Sequence, residues 1–431
     1  MDTSEKYDRY VMTSFTAGIE PVVVASAEGA RVTDVDGRSY IDCFAGISVV
    51  NAGHGNPEVR QAAKDQIDRL VHCSSYTYYA QPVADLAARL ADVTPGRLQK
   101  TFFANSGAEG IEAAMRLAKA YTGKHEFIAL ERSFHGRSLG TLSVTGNQSR
   151  KTRGGPYASG VAFAPTPYHY RSLFGADPEV VAERAAQALE EVIRFHTSGD
   201  VAAFIVEPVM GEGGIIVPPR SYLPRVKAIL DRYDILLIAD EVQCGFGRTG
   251  KLFAIEHFGV EPDIMVMAKG IADGFPLSAT IARAEIADSF RPGEHLSTFG
   301  GNPVSCAAGL ANLEFMLRED LPGQAARKGA DALARLNALA ERLPAIGEAR
   351  GLGLMLGVEL VSDRERRTPD AALAREVRRY CREHGVLVGV GGSESNVVRI
   401  QPPLVIAQAD LDTALDVIGE AIESLSAAHA G

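Results

Sequence analysis

The chain has 431 residues, 46% of them hydrophobic and 23% charged, enough for a folded core and two or three domains. Its formal net charge of −10 excludes nucleic acid and anionic membrane as partners, since both require basic surfaces. No apolar run reaches membrane-spanning length, the polar start MDTSEKYDRY lacks the features of a secretory or mitochondrial leader, and the five cysteines form no CxxC pair, so we expect a cytoplasmic protein with reduced thiols and no metal site.

In chain order, VTDVDGRSYIDCFAGISVV (32–50) sets an Asp-Gly turn between strand-like runs and predicts a hairpin that packs with a small domain. From about residue 60 to about 310, apolar β-rich runs alternate with helical patterns, and NSGAEG (105–110) opens an amphipathic helix. AAFIVEP (202–208), ILLIAD (235–240) and DIMVMAKG (263–270) are almost wholly apolar and end in charged or glycine residues. Strands buried on both faces of a parallel sheet have this pattern. Between the first two, SYLPRVKAILDRYD (221–234) carries Leu223, Val226, Ile229 and Leu230 on one face and reads as a crossover helix. Farther on come a helix at 332–343, strand-like GLMLGVEL (353–360), GVLVGV (385–390) and NVVRIQPP (396–403), and a last helix from about Asp410 to Ser426. The fold class is therefore α/β, with a large, mostly parallel-sheet domain over 60–310 and a smaller α+β domain built from 1–59 plus 311–431.

Ligands of open parallel sheets bind at the carboxyl ends of the strands, where Glu207, Asp240 and Lys269 all fall. A desolvated carboxylate needs a cationic partner to stay ionised, and a lysine at a buried strand end loses its charge readily. On these residues alone, an internal Asp240–Lys269 salt bridge is a fair competing account. In DEVQCGFGRTG (240–250), Gly245, Gly247 and Gly250 match G-x-G-x-x-G. Yet DEVQ separates them from the strand, and KLFAIEHFG is a poor helix start, which leaves a nicotinamide dinucleotide site as a remote alternative. GLGLMLG (351–357) reads as a strand.

Taken in order, FFANSGAEGIEAAMRLAK, FHGRS, EPVMGEGG, DEVQCGFGRTG, AKGIADGFPLSA and STFGGNP resemble the class III (ω) aminotransferases, fold type I pyridoxal-phosphate enzymes, over nearly the whole chain. The motifs are closest to the 4-aminobutyrate and ornithine-type members. The resemblance implies two catalytic residues: Lys269, which holds pyridoxal 5'-phosphate as an imine and then serves as base, and Asp240, which pairs with the ring nitrogen. It implies that Ser106, Gly107 and Ala108 cradle the phosphate at a helix N-terminus. Ala108 departs from the Ser or Thr common there, so the backbone is expected to do the holding. Phe134 is implied against the ring face, Gln243 at the ring hydroxyl and Glu207 in the ring-side network. Thr298 is implied at the phosphate of a neighbouring subunit's cofactor, hence a homodimer with shared sites. For substrate, the resemblance implies Ile47 as a contact and Arg137 as a carboxylate clamp. Glu212 would neutralise Arg399 for an amine-bearing end and move away for a dicarboxylate, although a fixed structural pair fits the residues equally well. His135 is read as structural.

These parts imply a ping-pong transfer of an amino group from an ω-amino acid (4-aminobutyrate-like) or related amino acid to 2-oxoglutarate or pyruvate. The same scaffold hosts amino-acid racemases, which keep the lysine, the aspartate and the cofactor. No single residue excludes that alternative.

Overall fold

Asp34 sets the turn that follows the first strand pair: its carboxylate accepts from the N–H groups of Asp36 (3.0 Å) and Arg38 (2.9 Å). In the computed structural model, which describes residues 1–14 and 18–429, this turn joins β2 (Arg31–Asp34) to β3 (Ser39–Asp42) as an antiparallel hairpin, with β1 (Val24–Glu28) on its outer edge.

Among the described residues, the central sheet has seven strands: β4 (Leu98–Ala104), β5 (Glu126–Leu130), β6 (Val161–Ala164), β7 (Val201–Val206), β8 (Leu236–Asp240), β9 (Ile264–Met267) and β10 (Ser278–Arg283). Their order is β4-β10-β9-β8-β7-β5-β6, and β10 alone runs antiparallel to its neighbours. Every residue of β7, β8 and β9 is buried, which explains their unbroken apolar runs. Each fully buried Leu or Ile there stabilises the fold by about 1.5–3 kcal/mol relative to exposure.

Local chemistry places the crossover helices. Gly107–Thr122 starts at Ser106, whose hydroxyl forms a reciprocal capping box with Glu109, and stops at Gly123 in the left-handed region. Pro178–Phe195 opens with Asp177 accepting from Glu179 and Val180 N–H and with proline in the first turn. Tyr222–Arg232 buries Leu223, Val226, Ile229 and Leu230, the expected face.

The C-terminal part adds β11 (Ile346–Leu352), β12 (Met355–Asp363), β13 (Thr368–Pro369), β14 (Val386–Leu387), β15 (Gly389–Gly391) and β16 (Val397–Ile400). β11, β12, β16 and β15 make an antiparallel sheet, β13 pairs with β12, and β14 joins β3 in parallel. GLGLMLG, expected as one strand, instead spans the turn between β11 and β12, because its glycines permit the chain to reverse. The glycine-rich 240–250 segment runs as turns and is followed only by a short 3₁₀ turn, Ala254–Phe258, not by the helix a dinucleotide site needs. Fully buried Arg248 pins that segment by donating to Leu354 O (3.0 Å), Pro402 O and Asn51 Oδ1 (2.6 Å). Among the described residues, no helix is long and apolar enough to cross a membrane.

Candidate active site

Parallel pairing sets the carboxyl ends of β7, β8 and β9 side by side, so Glu207, Asp240 and Lys269 leave the sheet at one place. Asp240 is 3% exposed. Its Oδ2 lies 2.7 Å from His135 Nδ1, and its Oδ1 accepts from Val242 N–H at 3.1 Å. The carboxylate makes Nδ1 the protonated nitrogen, an assignment from geometry. The other ring nitrogen, Nε2, is buried without a partner among the described residues. Glu207 holds the backbone around it, accepting from Phe134 N–H (3.0 Å) and Gly211 N–H (2.9 Å). Burial pushes the Glu207 carboxyl up to about 7; His135 opposes the rise and the Asp240 charge adds to it.

Lys269 follows β9 with φ +47°, a left-handed conformation that costs a lysine about 1–2 kcal/mol. Its amine has no hydrogen bond or ion pair among the described residues. It forms no salt bridge to Asp240, whose partners are His135 and the Val242 N–H. Burial lowers the lysine's pKa, while Asp240, Glu207 and Glu212 pull it upward.

The helix that begins at Gly107 points its N-terminus at the same region. A Cβ on Gly107 would stand 2.8 Å from Val242 Cγ1, so only glycine lets the helix start approach the loop after Asp240. Glu109 takes the N–H groups of Asn105 (2.7 Å) and Ser106 (3.0 Å). Helix geometry then leaves Gly107 and Ala108 N–H as the open donors of the expected trio. Gln243 accepts from Gln401 Nε2 at 3.2 Å. Gly211 lies so near that a Cβ would sit 2.0 Å from Gln243 Oε1.

A second charged group stands on the opposite side. Arg399, central in β16 and 4% exposed, donates from Nη1 to Glu212 Oε2 at 2.8 Å and from Nη2 to Val390 O at 3.3 Å. Arg150 donates from Nη2 to the other Glu212 oxygen. Burial alone raises the Glu212 carboxyl, but Arg399 and Arg150 together bring it below the ordinary carboxylate value. Phe44 faces the Arg399 guanidinium, with its ring centroid 5.4 Å away. Three residues on, Ile47 is 42% exposed within Ala45–Ser48, where every φ is positive. Asp42 anchors this left-handed turn by accepting from Phe44 N–H (2.8 Å) and Ala45 N–H (2.9 Å).

Hydrogen bonds, packing or Coulomb coupling therefore link Gly107, Ala108, Phe134, Glu207, Asp240, Gln243, Lys269, Glu212 and Arg399. Arg137 is exposed, with its guanidinium 5.5 Å from the Phe134 ring centroid, and Thr298 is exposed on its loop. Sequence reasoning missed three residues. His135, expected to be structural, binds Asp240; its place in FHGRS was the available signal. Gln401 follows Arg399 in NVVRIQPP, whereas Arg150 lies in a 3₁₀ turn that no pattern distinguishes.

The Aminotransferase class-III family model matches residues 15–422. The chain is 41% identical over 428 residues to the acetylornithine aminotransferase of Methanothermobacter thermautotrophicus, covering 99% of this chain and 100% of that protein. It is 38% identical over 429 residues to the leucine/methionine racemase of Thermococcus litoralis, with 99% and 96% covered. An amine transaminase from an uncultivated Pseudomonas species, solved with PLP bound, superposes with a TM-score of 0.91 at 35% identity, covering 96% and 98% of the two chains.

The site fits pyridoxal phosphate on its own chemistry. It offers a buried carboxylate oriented by an imidazole, an unpartnered amine of lowered pKa, and two open N–H groups at the start of a 16-residue helix. The chain belongs to the class-III aminotransferases and is a pyridoxal-phosphate-dependent transaminase of fold type I.

Proposed function

We propose that the enzyme moves the amino group of an ω-amino acid (4-aminobutyrate-like) or related amino acid to 2-oxoglutarate or pyruvate by a ping-pong mechanism. The observation that carries this reading is the largely buried Glu212–Arg399 pair, Nη1 to Oε2 at 2.8 Å, whose charges are felt at Lys269. An amine whose reacting carbon bears no carboxylate leaves the pair closed. A second carboxylate on the acceptor would take Arg399 instead.

In this reading Gly107 and Ala108 N–H, with the Ser106 cap, hold the cofactor phosphate, and Phe134 lies against its ring. Asp240 pairs with the ring nitrogen, Gln243 meets the ring hydroxyl, and Glu207 fixes the Phe134 backbone. When bound, the cofactor supplies a carbonyl that takes up the amine and a ring that draws electrons from the substrate carbon. Lys269 Nζ, depressed in pKa by burial, moves the proton from that carbon. His135 holds Asp240 aimed through the Nδ1–Oδ2 contact. Exposed Arg137 and Ile47 are assigned to the substrate's far end.

We further assign two domains, 60–310 and 1–59 plus 311–431, a cytoplasmic location, and a homodimer that carries Thr298 to the partner subunit's cofactor. The exposed side chains of Leu296 and Phe299, on the loop that carries Thr298, support a dimer contact there.

The racemase relative supports a second reading, in which Lys269 returns the proton to the carbon it came from. The test is absorbance of the holoenzyme with 4-aminobutyrate, ornithine, acetylornithine, L-alanine or D-alanine, without oxo acid. Bleaching of the yellow band by one donor, reversed by 2-oxoglutarate or pyruvate, identifies the substrates. A persistent band with interconversion of enantiomers would assign racemisation instead.

A further inference from the structure

Glu212 holds two guanidinium groups at once, Arg399 on one oxygen and Arg150 on the other. The three side chains are largely withdrawn from water, at 5% exposure for Arg399, 14% for Glu212 and 30% for Arg150. Two cations on one anion leave one positive charge in excess. A substrate carboxylate would neutralise it. Among the described residues, both Arg150 Nε and Arg399 Nε are buried without partners, so neither guanidinium has used all its donors.

A lone Glu212–Arg399 pair resists opening, because releasing Arg399 strands a buried carboxylate without its counterion. Arg150 removes that obstacle, since Glu212 stays paired after Arg399 turns away. The arginine comes from the Gln148–Arg150 turn, whereas Arg399 comes from the centre of β16, so one can move without the other.

We propose that Arg150 is a specificity-determining residue, which retains Glu212 while Arg399 is given to a second substrate carboxylate and thereby favours two-carboxylate substrates. This rests on the substrate assignment above. One site then serves a one-carboxylate amine in the first half-reaction and a dicarboxylate oxo acid in the second. A purely structural role, fastening the 148–150 turn, would affect both kinds of ligand alike.

The experiment measures binding of two unreactive probes, glutarate and butyrate, to the holoenzyme of the wild type, Arg150→Met and Arg150→Lys, alongside KM for 2-oxoglutarate and 4-aminobutyrate and thermal melting. Arg150→Met should weaken glutarate and raise the 2-oxoglutarate KM by about tenfold or more, equivalent to roughly 1.4 kcal/mol. Butyrate and 4-aminobutyrate should change by less than about twofold, and Arg150→Lys should recover most of the loss because it keeps the charge. Equal losses for both probes, no loss for either, or a wild type without preference for glutarate would each overturn the proposal. Glutarate binding does not depend on turnover. A wild type that transfers no amino group therefore sinks the substrate assignment, while the glutarate-to-butyrate ratio still decides the role of Arg150.

Discussion

Asp240 and Glu212 both act on Lys269, and their surroundings differ in charge count and burial. Asp240 is almost fully buried at the end of a central strand, with one imidazole and one backbone N–H as partners. Glu212 is less enclosed, lies in a turn after β7, and carries two arginines from different parts of the chain. The first arrangement fixes one carboxylate from both sides by a rigid ring and a backbone N–H, which suits a partner that never changes. The second has a surplus cation and unused donors, which suits ligands that differ between half-reactions. Rigid pairing and charge imbalance thus divide the work between cofactor and substrate.

The comparison breaks most sharply at Lys269, which both carboxylates influence. Lys269→Ala should lower kcat by roughly 10⁴-fold, the upper end for a positioned base, and should shift the visible band to that of unlinked cofactor. Normal turnover in that variant would remove the lysine from the chemistry. His135→Phe tests the rigid corner, since it strips Asp240 of its charged hydrogen bond, worth about 1.5–3 kcal/mol. We expect kcat/KM to fall by roughly 10–100-fold and cofactor affinity to weaken, with the preference among substrates unchanged. A change in preference alone would mean that the corner belongs to substrate recognition.

Gly211 joins the two regions, lying between Glu207 and Glu212 and against Gln243. Gly211→Ala should destabilise the protein by about 1–3 kcal/mol in urea unfolding, because the new Cβ must displace Gln243. An unchanged midpoint would show that the segment yields freely. An effect of similar size concerns pH. The folded-state carboxyl of Glu207 is raised from 4.5 to about 7, so the folded protein binds a proton that the unfolded chain has already released in that interval. The resulting stability is present below about pH 4.5 and is lost as pH rises through about 7. Glu207→Gln should flatten this decline in the cofactor-free protein, measured by urea unfolding at pH 5 and 8. The smallest effect is expected at the surface, where Arg335 pairs with Asp412 and Asp416 in open solvent. Arg335→Ala should change stability by less than about 1 kcal/mol, against which the buried pairs can be judged.

Much of the frame was legible because it depends on local pattern. The apolar runs at 202–208, 235–240 and 263–270 became adjacent parallel strands, since a strand buried on both faces admits few polar residues. Their abrupt polar ends marked Glu207, Asp240 and Lys269, because a parallel sheet lines up its strand ends. NSGAEG read as a helix start, and the helix does begin there, although the Ser106–Glu109 capping box that fixes it emerged only from the structure. Other features had no local signature. GLGLMLG looks apolar enough for one strand, and only the pairing of β11 with β12 shows the reversal. Arg150 lies 62 positions from Glu212, and its surrounding turn has the composition of an ordinary surface loop.

By itself, then, the sequence determined where the strands lie, where the helices begin, and which buried strand ends bear an acid or an amine. Hydrophobic periodicity and capping act over a few residues, so they can be read without knowing what packs against what. Tertiary structure alone decided the partners of those charges: His135 on Asp240, two arginines on Glu212, and, among the described residues, no ion pair on Lys269. Those choices depend on which distant side chains reach a desolvated carboxylate first, and burial makes each of them consequential.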